Sequence, residues 1–573
     1  MHNALRTSAL VAIASIVVAC GGGEAPPPGS EATGTTPADT TAKISAAAAA
    51  AAAIDAGDFA RHVRTLASDE FEGRAPGGEG ERKTIDYLTA AFREVGLRPG
   101  NGDSYVQDVP LVSITAEEIS PLAIRGGSAE LTLDYQQDMM VWTKRVGESE
   151  SIDSSDLVFV GYGIVAPEYD WNDYEGLDVA GKTVVMLVND PGFATGDPDL
   201  FNGRTMTYYG RWTYKYEEAA RQGAAGALII HETEAAGYPW LVVSGSWSGE
   251  QFDLDLGDAA PARVAIEGWL TGEAAERVFD AAGVDIDEAR DAAAKPGFEA
   301  RALGLQASVS LRNTLSRMPS GNVVGILPGS ERPDEYIVYT AHWDHLGMAR
   351  SVLDDRIYNG AVDNATGVAG MLEIAEAFST VDPAPARSIV FLAVTAEESN
   401  LLGSAWYASH PLYPLERTVA NINIDAMSLV GPSYDITVIG YGNSELDEYA
   451  ARAAAAQERR LEQEPTPEKG FFYRSDHFNF AKRGVPALYL RGGVEHREKG
   501  MEYGLAYNAA WVAERYHKVT DEFSEDWDLR GILEDTELLF DVGYELAETT
   551  AWPNWVEGNE FRAARDRSAD ARR

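Results

Sequence analysis

The 573-residue chain contains one cysteine, Cys20, which excludes an intramolecular disulfide framework and leaves packing to hold the fold together. Positive charge is scarce as well. Lys and Arg number 47 against 90 Asp and Glu, a formal net charge of −43. A surface of that sign repels nucleic acid and anionic lipid, so no nucleic-acid partner is expected. The apolar stretch at residues 10–18 is too short for the roughly 20 residues of a spanning helix. What is present fits globular domains: 45% of residues are hydrophobic, with 12 Trp and 25 Tyr. At this length one compact core does not suffice, and two or three folded units are expected.

The N-terminus combines His2 and Arg6, the short apolar stretch, and Val17-Val18-Ala19-Cys20. The last four residues resemble the lipobox of bacterial lipoproteins. That resemblance implies a signal peptide over 1–20, a lipid on Cys20 and an exported protein anchored in the cell envelope. Residues 21–44 are rich in Gly, Pro, Thr and Ser and read as a flexible tether. Ser45 is placed to cap a helix running through the alanines of 46–53 to about residue 66. A second helix is expected over 80–95, stopped by Gly96.

From about residue 155 the texture turns to short β-like runs at 157–162, 183–188 and 227–231, with a helix at 214–222. Helix and connector are expected over 270–300. Beyond 305, buried runs at 336–340, 388–394 and 419–424 alternate with helical patterns at 366–378 and 402–408. That rhythm predicts an α/β fold with a mixed, partly parallel central sheet flanked by helices and interrupted by a mostly-β insertion. The expected divisions are an N-terminal part of the catalytic domain over 45–150, the insertion over 151–304, the catalytic remainder over 305–556 and a charged, solvated tail over 557–573.

In open α/β sheets, ligands sit beyond the carboxyl ends of the strands. His342-Trp343-Asp344 follows the first buried run, Glu397-Glu398 the second, and Asp425 the third. Asp363 lies just before a helix whose loop crosses the same edge. Singly, each has an ordinary structural explanation: a His–carboxylate pair, a solvated acidic pair, a helix cap, a strand-end turn. Together they form an ordered His-x-Asp, Asp-Asn, Glu-Glu, Asp, His series that suits divalent metal ions.

These residues are embedded in segments that resemble the M28 family of zinc aminopeptidases. The matching stretches are Thr340-Ala341-His342-Trp343-Asp344-His345-Leu346-Gly347, Gly360-Ala361-Val362-Asp363-Asn364, Ala396-Glu397-Glu398, Asn423-Ile424-Asp425-Ala426-Met427, Ser475-Asp476-His477-Phe478 and Tyr516-His517-Lys518. Upstream, residues 66–74 resemble the opening of the peptidase unit. Val160-Gly161-Tyr162-Gly163 and Asp173-Tyr174 in the insertion resemble a protease-associated domain.

The resemblance implies two zinc ions bridged by Asp363, with His342 and Asp425 completing one ion's ligands and Glu398 and His517 the other's. Mn²⁺ or Co²⁺ would also suit such donors. It implies that Asp344 orients His342 through the second ring nitrogen, with Asp521 doing the same for His517. Glu397 is then the general base acting on a water held by the two ions, and the substrates are peptides with free N-termini. Tyr473 is a candidate oxyanion donor and Arg474 a candidate for a substrate carboxylate. Ser475-Asp476-His477 cannot form a relay as consecutive residues and reads as support. His345, His410 and His496 have no argued partner.

Three alternatives remain. A glutamate-type carboxypeptidase needs basic side chains such as Arg474, Arg483 or Arg491 near the pocket. A glutaminyl cyclase needs only one zinc. A metal-free surface binding protein would have lost a ligand or Glu397, and none is missing.

Overall fold

The computed structural model describes residues 46–127, 129–349 and 355–572. The signal peptide, Cys20 and the tether lie outside them. Residues 46–573 cluster as one unit.

The alanine run is helical only over 46–51. The single long helix expected from Ser45 is broken because Asp55 accepts the N–H groups of Gly57 and Asp58 and starts a new helix, Ala56–Leu66. The next helix, Glu79–Glu94, ends before Gly96, whose φ of 85° suits glycine.

The half that carries the expected metal-competent residues is built on a mixed sheet. Arg387–Val394, Arg332–His342, Thr418–Asn423 and Ala487–Gly492 are the parallel strands. The end of Arg301–Leu327 runs antiparallel to the first, and Asp435–Val438 antiparallel to the last. Side chains alternate between faces. Ile337, Tyr339 and Ala341 join a core with helices Gly367–Thr380 and Arg530–Glu548, whereas Val338, Val390 and Leu392 pack with Tyr407 and Phe480 on the other side. Both faces are covered, which is why the strands read as continuous apolar runs.

Residues 149–271 contribute a second parallel group: Ser149–Phe159, Thr183–Leu187, Gly226–His231 and Ile266–Thr271. Two apolar clusters form around it, with helix Trp212–Arg221 inside the group and helices Gly272–Ala281 and Ile286–Ala293 just after it. The 27-residue strand Arg301–Leu327 pairs with members of both groups and stitches them together.

The C-terminal stretch is not a solvated tail. Phe561 is buried, and the buried Arg565 guanidinium donates to the carbonyls of Thr418, Val419 and Pro553. It satisfies backbone acceptors at the start of a central strand, so its charge serves docking rather than solvation.

Candidate metal centre

Four of the expected residues lie at or just beyond the carboxyl ends of three parallel strands. His342 ends Arg332–His342, Glu397 and Glu398 follow Arg387–Val394, and Asp425 follows Thr418–Asn423. Asp363 lies in the kinked turn Ala361–Thr366 before helix Gly367–Thr380. His517, at φ 55°, follows helix Gly500–Glu514.

All five come together. His342 Nε2 lies 3.3 Å from Asp363 Oδ1 and 3.4 Å from Asp425 Oδ1. His517 Nε2 lies 3.3 Å from Asp363 Oδ2 and 3.1 Å from Glu398 Oε2. Asp363 therefore turns one oxygen to each half. Glu397 Oε2 stands 4.0 Å from His342 Nε2, beside the cluster rather than within it.

The donor set fits divalent metal. Two ligand atoms on a tetrahedral ion with bonds of about 2.0–2.1 Å stand roughly 3.3–3.4 Å apart. The four distances above lie at or close to that edge length. The buried His342 Nε2 has no hydrogen-bond partner, as an atom kept for an ion would not.

The electrostatics point the same way. Burial pushes the Glu397 carboxyl well above the usual range, and Asp425 and Glu398 add to it. Burial opposes charge on His342, yet Glu397, Asp363 and Asp425 hold it well above the ordinary imidazole value. Glu398 is drawn down to about 2 against burial, chiefly by His517. Carboxylates outnumber the cations that could neutralise them, and a bound cation would relieve this.

Several supporting roles differ from those expected. The atom that contacts His342 Nδ1 is the backbone oxygen of Asp344, at 3.1 Å, while the carboxylate is 3.8 Å away. The Asp344 carboxylate instead accepts the N–H groups of Glu397 and Glu398, aiming both side chains. Asp521 does not reach His517; its carboxylate accepts the N–H groups of Val362 and Asp363. Tyr473 donates its hydroxyl to Glu560 at 3.1 Å, so it is engaged away from the cluster. Ser475 takes a hydrogen bond from Asn423 and donates to Asp425 Oδ2 at 2.6 Å. Asp476 bonds Ser404, and the His477 ring packs on Phe472; the three consecutive side chains diverge.

Two contributors escaped the sequence reading. His345, treated there as partnerless, is buried with Nδ1 2.6 Å from Glu398 Oε1. Its position three residues after His342 was the available signal. Arg74 is buried and donates to the carbonyls of Leu66, Trp343, Asn359 and Gly360, tying the His342 and Asp363 loops together.

The cluster opens into a cavity of about 280 Å³ lined by Glu397, Glu398, Arg211, Trp212, Arg474 and Tyr516. A neighbouring cavity of about 400 Å³ shares Glu398, Arg211, Trp212 and Arg474 and reaches Asp344 and His345. A larger cleft of about 950 Å³ includes none of the five cluster residues.

Residues 322–540 match the model of Peptidase family M28. That matching segment holds every residue of the cluster. Aminopeptidase NAALADL1 of Mus musculus is 38% identical over 138 residues, 23% of this chain and 17% of the relative. The Glutamate carboxypeptidase 2 homolog of Caenorhabditis elegans is 34% identical over 137 residues, 23% and 16% of the two chains. The match thus spans about a sixth of the length of these curated relatives. Among solved structures, the aminopeptidase from Aneurinibacillus sp. strain AM-1 aligns over 88% of this chain and 96% of its own, at 19% identity and a TM-score of 0.47.

Proposed function

We propose that the chain is a metal-dependent aminopeptidase that removes N-terminal residues from peptides, with two zinc ions held by His342, Asp363, Asp425, Glu398 and His517. The observation that carries this reading is the division of the Asp363 carboxylate, one oxygen 3.3 Å from each of two histidines. Ions bound there would supply the positive charge that acidifies a water and polarises the scissile carbonyl.

Glu397 is the group that would take up the water's proton and return it to the departing amine. Burial raises its pKa, which favours its taking up a proton. Asp344 keeps it aimed through the Glu397 N–H. The excess of carboxylates would draw in the ammonium of a free N-terminus. Tethering to the cell envelope through a lipid on Cys20 belongs to the same proposal. It is tested by whether Cys20→Ser moves the protein from the membrane pellet to the soluble fraction.

A second reading, cleavage beside a substrate carboxylate as in a glutamate-type carboxypeptidase, is favoured by Arg211 and Arg474. Both line the cavities next to Glu398, and the buried Nε of each has no partner. Arg483 lines the separate larger cleft, whereas Arg491 donates to the Tyr489 hydroxyl, which in turn donates to the Asp425 carbonyl. Two ion positions weigh against a glutaminyl cyclase. The deciding experiment compares a free peptide, its N-acetylated form and an N-acetylated peptide ending in Glu, each with and without chelator. Cleavage confined to the free peptide and abolished by chelator is expected. Cleavage of the acetylated Glu peptide would move the assignment to the carboxypeptidase.

A further inference from the structure

Glu398 has a histidine at each of its oxygens, and only one of the two contacts has the length of a ligand edge. His517 Nε2 is 3.1 Å from Oε2 and 3.3 Å from Asp363 Oδ2. His345 Nδ1 is 2.6 Å from Oε1. That is shorter than the roughly 3.3 Å separating two side chains on one ion, and it is the length of a charge-assisted hydrogen bond. An ionised carboxylate only accepts, so Nδ1 carries the hydrogen.

The surroundings hold His345 in that place. It is 1% exposed, whereas the His517 side chain is 37% exposed. Gly360 is pressed against the imidazole: a Cβ there would come within 2.6 Å of two ring carbons. The Trp343 and Gly360 carbonyls, on the two loops flanking His345, both accept from Arg74. A ring so enclosed cannot swing aside, and neither can the oxygen it holds.

We propose that His345 is a positioning residue of the metal centre, whose Nδ1–H occupies Glu398 Oε1 and leaves Oε2 as the oxygen available to the ion shared with Asp363 and His517. The proposal rests on the two-ion reading of the cluster. It is selective. The other half, His342 with Asp425, is held by different atoms: Ser475 on Asp425 Oδ2 and the Asp344 carbonyl at His342 Nδ1. Loss of His345 therefore loosens one ion and spares the other.

The test is zinc content of the full chain after dialysis against graded chelator, for the wild type, His345→Ala and His345→Asn. The Asn amide nitrogen stands close to where Nδ1 stands. We expect two ions in the wild type. His345→Ala should lose one of them at roughly 10–100-fold lower chelator strength while keeping the other, the scale seen when outer hydrogen bonds to ligands are removed. His345→Asn should restore most of the difference. X-ray absorption on the zinc-loaded wild type should count one imidazole per ion, a readout that holds even if the Ala variant fails to fold. Parallel loosening of both ions, no loosening of either, or an additional imidazole on one ion would overturn the role. A wild type that never takes up two ions at saturation would instead sink the two-ion reading itself.

Discussion

Among the described residues, two clusters of buried charge differ in a way that separates structure from chemistry. In the 149–271 group, Lys215 donates to the carbonyls of Tyr162 and Asn189. Nearby Asp173 accepts from the Ile164 N–H and Trp171 Nε1, and Asp190 from the Thr207 N–H and hydroxyl. Each of these charged groups is satisfied by the protein itself. Around the metal-competent residues, Asp344, Asp363, Glu397, Glu398 and Asp425 crowd around His342, His345 and His517, and the Nε2 atoms of His342 and His345 have no hydrogen-bond partner. A satisfied cluster holds a fold together. One with surplus carboxylates and partnerless nitrogens needs something brought in from outside.

The sharpest way to break this contrast is Glu397→Gln. It should lower turnover by at least about 10²-fold while zinc content stays at the wild-type level. Near-normal turnover would remove Glu397 from its role, and loss of zinc would make it a ligand.

Lys215→Met should act in the opposite sense. It leaves two buried carboxylates facing no cation and should cost roughly 3–5 kcal/mol in urea unfolding. The loss should be the same with and without chelator, and zinc content should not change. Zinc loss in this variant would show that the two clusters are coupled.

The smallest effect concerns Asp476, at the margin of the catalytic cluster. Burial, with Asp425 nearby, pushes its pKa up to about 7, and its Oδ2 has no partner. A carboxyl raised in the folded state contributes stability below its unfolded pKa of about 3.9 and loses it as pH rises through the folded value. On chelator-treated protein, Asp476→Asn should therefore exceed the wild type by roughly 1–2 kcal/mol at pH 8, with no gain near pH 4. An equal difference at both pH values would mean that the carboxyl does not titrate in this window.

Much of the catalytic half was legible because its strands are buried on both faces. The runs at 336–340, 388–394 and 419–424 correspond to Arg332–His342, Arg387–Val394 and Thr418–Asn423, and the expected metal-competent residues follow their ends. Residues 151–304 are less legible. Their helices alternate with short strands, and Arg301–Leu327 runs on past the point where a boundary was drawn at 304. Asp55 broke a helix that alanine propensity would have continued. The charges of 557–573 read as solvated because nothing local reveals that Arg565 finds three backbone carbonyls.

The sequence by itself determined the alternation of apolar strand and helix, the order of the five metal-competent side chains and the acidic character of the whole, since each is a property of local pattern or composition. Only the tertiary structure decided which atoms serve which. Asp344 holds the Glu397-Glu398 turn rather than an imidazole, His345 holds Glu398, and Arg74 ties the loops of Trp343 and Gly360 together. Those are contacts between residues distant in the chain, set by where the loops cross beyond the sheet edge, and periodicity carries no record of them.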